Sequence, residues 1–102
     1  MSSYQEGLDA YERGDYDTAL KEFRPLAEQG DPLAQSYLGS MYYEGRSGAP
    51  QDYVLAHMWL NLAEAQGYEK AADLRDLIEE VMPPAQLAEA QRLAREWKAK
   101  GK

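Results

Sequence analysis

Apolar residues recur along this chain at helical rather than strand spacing, and glycine and proline cut the pattern at short intervals. The pattern predicts six helices. The first runs from about Tyr4 to Arg13, opened by a capping box at Ser3 and Glu6 and closed by Gly14. The second starts from Asp15 as N-cap, carries the stripe Tyr16, Ala19, Leu20, Phe23, Leu26 and Ala27, and stops before Gly30. Pro25 lies inside it and is expected to weaken or kink the helix near Lys21, whose carbonyl it cannot engage. Asp31 and Pro32 form a cap followed by proline at the first helical position, opening a third helix with Ala34, Tyr37, Leu38, Met41 and Tyr42 on one side and Gly45 at its end. The loop Arg46–Gln51 leads to Asp52, cap of a fourth helix with the stripe Leu55, Ala56, Trp59, Leu62 and Ala63 ahead of Gly67. A fifth helix near Tyr68–Met82 shows Ala71, Leu74, Ile78 and Val81; Pro83 and Pro84 break the chain before a sixth, with Leu87, Ala90, Ala94 and Trp97 at helical steps. Residues 98–102 are expected to fray.

The same unit is written twice. Asp15–Ala34 realigns on Asp52–Ala71 after a shift of 37, with Asp15/Asp52, Tyr16/Tyr53, Ala19/Ala56, Gln29/Gln66, Gly30/Gly67 and Ala34/Ala71 identical. Self-similarity at a period between 20 and 50 residues marks a repeat array, in which each unit buries its apolar face against its neighbour. Such chains usually bind rather than catalyse.

Composition narrows the chemistry. At 102 residues the chain is one domain, too small for a cofactor domain beside a substrate domain. Cysteine is absent and His57 is the only histidine, so the chain cannot assemble a disulfide frame, a thiolate nucleophile, a structural zinc site or a His-based triad with a spare imidazole. The missing cysteines leave the redox compartment open. The start, Met1-Ser-Ser-Tyr-Gln-Glu, lacks the basic and apolar segments of a signal peptide, and no stretch approaches a membrane span. The chain as it stands is therefore expected in the cytoplasm, or in the periplasm if a leader was removed. The formal net charge is −7, of which residues 1–52 carry ten acids against four bases and residues 53–102 eight against seven. That balance argues against nucleic acid, whose binding rests on neutralising phosphates, and favours partners with basic segments.

Leu38–Gly67 closely resembles the Sel-one-like repeat, a relative of the tetratricopeptide repeat, on Ala34, Leu38-Gly39, Tyr42, Gly45, Gly48, Asp52-Tyr53, Ala56, Trp59, Ala63 and Gln66-Gly67. The Gly45–Pro50 loop is one residue longer than the family pattern and has Ala49 where valine is usual. Pro83 stands where the last helix commonly has a Ser or Thr cap, a bond worth about 1 kcal/mol. The resemblance implies an all-α, right-handed α-solenoid of about three antiparallel helix pairs. Its units fall at about 1–30, 31–67 and 68–97. It also implies a concave side that holds peptides or protein partners. Physics accounts for the pattern independently: Gly39 and the alanines let helices approach, while Tyr42 and Trp59 fill the gap between paired helices.

Carried over position by position, the resemblance places groove-facing residues at Tyr4, Leu8, Tyr11 and Glu12 on the first helix. On the third it places them at Leu33, Ser36, Ser40, Tyr43 and Glu44, and on the fifth at Asp73, Leu77 and Glu80. The pair Tyr11-Glu12 recurs as Tyr43-Glu44, so the expected surface is an acidic groove with aromatic steps. The competing reading is a merely solvated face. Tyr16, Tyr42 and Tyr53 are expected to pack, and His57 to be half-buried in a packing or hydrogen-bonding role. Glu79-Glu80 and Asp73/Asp76 read as solvated charge, and Trp97 as the seal of the array's end. The expectation is a non-enzymatic protein–protein interaction scaffold without cofactor or metal, monomeric or weakly homo-oligomeric, binding a segment with basic and apolar side chains. The alternatives are a self-associating module or a regulatory subunit of a larger complex.

Overall fold

Caps set the helix boundaries. The Asp15 carboxylate accepts from the Thr18 N–H at 3.3 Å, Asp31 from Leu33 and Ala34 at 2.9 and 3.3 Å, and Asp52 from Leu55 at 3.0 Å. Each satisfies amide donors that a first helical turn leaves unpaired. In the computed structural model, which describes residues 3–45 and 51–99 with the side chains of Ser3 and Ala99 apart, six helices and no strand are found among the described residues. They are α1 (Ser3–Arg13), α2 (Tyr16–Glu28), α3 (Pro32–Glu44), α4 (Tyr53–Ala65), α5 (Lys70–Glu79) and α6 (Pro84–Ala99). The expected Ser3 cap, the Arg46–Pro50 loop and the end of the tail lie outside the described residues.

α2 stays one helix through the exposed Pro25. Two local details differ from expectation. α5 is shorter than its apolar pattern, Lys70–Glu79, because Glu69 provides no side-chain cap and the chain tightens into three-residue turns at Glu80–Met82. α6 starts on Pro84 with the Pro83 carbonyl accepting from Gln86 and Leu87 at 3.0 and 3.1 Å, so backbone replaces the missing cap side chain in part.

Each helix packs on the next from α1 to α5, but α6 returns to pack chiefly on α4 instead of on α5. α4 thus has α3, α5 and α6 around it, and it buries Ala56, His57, Met58, Trp59, Leu60, Leu62 and Ala63. A helix apolar on nearly every side belongs at the centre. The expected stripes of α2 and α3 are buried through Ala19, Leu20, Phe23, Ala27, Ala34, Leu38, Met41 and Tyr42. On α5, Ala71 and Ile78 are buried and Leu74 is half-buried, but Val81 just beyond it is 58% exposed because α6 lies elsewhere. The α3–α4 crossing is close at Gly39, where a Cβ would sit 2.8 Å from Leu60 Cγ and 3.1 Å from the Ala56 carbonyl oxygen. Gly7 plays the same part between α1 and α2, with the Phe23 ring 2.9 Å from where its Cβ would be. No described helix is long and apolar enough to cross a membrane.

Candidate functional site

The aromatic residues of α1, α2 and α3 form one cluster. Phe23 and Tyr37 stack with centroids 4.9 Å apart. Tyr4 meets both, at 5.9 and 6.4 Å. Tyr11 packs edge-on against Tyr16 at 5.4 Å and Tyr37 at 5.3 Å. Burial pushes the Tyr4 hydroxyl up from its ordinary value, with Tyr37, Asp31 and Tyr68 adding to the shift. Tyr43 stacks on Tyr53 at 6.0 Å, an arrangement within α3 and the start of α4. The Tyr11 hydroxyl donates a long 3.5 Å hydrogen bond to Glu44 Oε1, so the tyrosine of the first Tyr-Glu pair meets the carboxylate of the second.

Of the other expected groove residues on α1 and α3, Leu8, Leu33, Ser36 and Ser40 are half-buried, and Glu12 and Glu44 are exposed. The structure therefore joins Tyr4 and Tyr11 through Tyr37, and Glu44 through the Tyr11 hydroxyl, while Asp73 and Leu77 of α5 and Glu80 at its end stand exposed, with Leu77 at 58%. The groove tyrosines are not free-standing. Tyr4, Tyr11 and Tyr43 each give part of the ring to packing, and each aromatic pair is worth about 0.5–1.5 kcal/mol beyond area burial. Sequence reasoning missed Tyr37 as the hub, although its place on the α3 stripe beside Leu38 was visible.

Two polar clusters fasten helices together. Gln35, fully buried, donates to the Ala27 carbonyl at 3.0 Å and accepts from Gln66 Nε2 at 2.8 Å, tying the end of α2 to α3 and the end of α4. The repeated Gln29/Gln66 position supplied half of that signal; Gln35 gave none. His57 is 1% exposed instead of half-buried, because α5 covers it and Glu79 Oε2 accepts from its Nε2 at 2.8 Å. Its Nδ1 is buried with no hydrogen-bond partner. Arg75 of α5 donates to Asn61 Oδ1 at 3.2 Å and Glu64 Oε1 at 3.0 Å on α4, and to Asp76 on its own helix. Burial disfavours its charge, but the Asp76 and Glu64 carboxylates outweigh that and hold its pKa above the ordinary value. Glu79, read as solvated, thus serves the α4–α5 junction, while Asp76 is exposed as expected and pairs with Arg75 on its own helix.

Elsewhere Tyr42, buried as expected, accepts from Arg24 Nη2 at 3.1 Å, and Trp97 meets Trp59 edge-on at 5.9 Å. A cleft of about 330 Å³ beside Trp97 is lined by Leu62, Ala65, Gln66 and Lys98. Among the described residues no three His, Asp or Glu side chains gather as a metal site would need. No protein-family model matches the chain, and no curated protein matches it.

Proposed function

We propose that the chain is a short right-handed solenoid of Sel-one-like units. It acts as a non-enzymatic interaction scaffold, binding an extended or helical segment with basic and apolar side chains across α1, α3 and α5. The observation that carries this reading is the Tyr4–Tyr11–Tyr37 floor, held by its own ring contacts and edged by Glu44 through the Tyr11 hydroxyl. Rigid aromatic area at low entropy cost is what binding anchors use. Exposed Glu12, Glu44, Asp73 and Glu80 complement a basic ligand, in keeping with a net charge of −7.

Selection from a random displayed-peptide library against the full chain tests it. Enriched peptides should combine Lys or Arg with large apolar residues. Tyr43→Ala with Leu77→Ser should then weaken their binding about thirtyfold, the effect of losing roughly 2 kcal/mol at an anchor. Glu12→Gln with Glu44→Gln should slow association mainly at low salt. Tyr11→Phe is the cleaner probe at that position, because Tyr11→Ala also removes packing against Tyr16 and Tyr37. Binders lacking basic residues, or indifferent to all these changes, would refute the reading.

A second reading is favoured by Leu77 and Val81, large apolar residues each 58% exposed: a second copy covers them. A solution mass of twice 11.5 kDa that returns to the monomer with Leu77→Lys would select it.

A further inference from the structure

We infer that α5 is a polar-latched helix that opens as a unit from α4, while α1–α4 and α6 stay folded. α5 has only ten residues, below the length at which an isolated helix holds itself together, so its order depends on docking. Its docking is thin in apolar terms: Ala71 and Ile78 are its only fully buried residues, and Leu77 on its outer side is 58% exposed. It has no side-chain N-cap, and α6 does not cover it because α6 packs on α4.

What holds α5 is polar. Arg75, with its side chain 19% exposed, reaches Asn61 and Glu64 of α4, and Glu79 accepts from the buried His57. Arg75 Nε also lies 3.8 Å from Glu79 Oε2, joining the two contacts into one clasp. α6 is attached to the same helix differently, through Trp97 on Trp59 and the buried Ala90 and Ala94. Swivel points stand at both ends of α5. Gly67, at φ 99° with open space around its Cβ position, precedes it, and the turn before Pro83 follows, with Met82 buried as an anchor. Elements with few buried apolar contacts are the ones that open below the global unfolding free energy. Opening uncovers His57 and the α4 surface under Ala71 and Ile78.

Native-state hydrogen exchange of the full chain, read by mass spectrometry, tests this. α5 amides should exchange at least tenfold faster than those of α3 and α4. Arg75→Met should speed α5 about tenfold further, the size expected for lost charge-assisted hydrogen bonds, with α1–α3 unchanged. Raising salt should speed α5 more than α6, because charged side chains fasten α5 to α4, whereas the Arg92 pairs with Glu89 and Glu96 lie within α6 itself. Glu79→Gln keeps an acceptor for His57 but removes the charge beside Arg75, and should give a smaller acceleration confined to α5. If Arg75→Met fails to fold, Glu79→Gln and the salt series decide on the same terms. Equal exchange of α5 with α3 and α4, or acceleration of every helix alike, would overturn the inference.

Discussion

Gly39→Ala sets two effects of known size against each other at the α3–α4 crossing. Replacing a helix-interior glycine with alanine favours the helix by up to about 1 kcal/mol. Against this, the new Cβ would lie 2.8 Å from Leu60 Cγ and 3.1 Å from the Ala56 carbonyl oxygen. Leu60 is fully buried and cannot swing aside, and the carbonyl belongs to the backbone of the central helix. Relief needs the helices to part by about 0.6 Å, from 2.8 to 3.4 Å, the near edge of ordinary contact. A gap of that size forfeits a quarter or more of each dispersion contact it opens, and overpacking a close-packed core typically costs about 1–3 kcal/mol. The clash therefore wins, with a net loss of about 1–2 kcal/mol. At about 4–8 °C per kcal/mol for a domain of this size, the melting temperature should fall by roughly 5–15 °C. Thermal and urea unfolding followed by circular dichroism measure it. Leu60→Ala alone should cost about 2–5 kcal/mol, and the double variant less than the sum of the two, because the new methyl enters space that Leu60 vacates. A stabilised Gly39→Ala, or strict additivity in the double variant, would refute the close approach.

Two further outcomes follow from particular contacts. Deleting residues 84–102 should uncover Trp59 and the side of α4 that α6 covers, and lower the melting temperature sharply or cause aggregation; a truncated chain as stable and monomeric as the parent would show that α6 seals nothing. Hydrogen bonds from the Thr18 hydroxyl and then its amide hold the Asp15 carboxyl below its usual range, as the Arg92 guanidinium does Glu89. A lowered native pKa contributes stability above the ordinary carboxylate value that is lost as pH falls through the native one, so the melting temperature should decline below about pH 4. Asp15→Asn keeps a capping acceptor without the titration and should flatten part of that decline in paired melts at pH 7 and pH 3; an unchanged decline would remove Asp15 from the account.

Much of the local structure was written in the sequence. Asp15, Asp31 and Asp52 with Gly14, Gly30, Gly45 and Gly67 marked helix ends, and the 3.6-residue stripes of α2, α3 and α4 named most of the buried residues. These signals are local: a cap bonds two or three residues away, and a stripe needs only its own helix.

Partner choice between distant helices was not legible there. Only the tertiary structure decided that α6 lies on α4, which leaves Leu77 and Val81 exposed. It also decided that Glu79 bonds His57, that Arg75 clasps α4, that Gln35 is buried between two helix ends, and that Tyr37 gathers the tyrosines of α1. The reason is geometric. Apolar burial is non-directional and lets a helix stripe meet several neighbours, whereas a hydrogen bond near 3 Å forms only when rotation and register bring two groups together. A one-dimensional pattern carries the stripe but not the register.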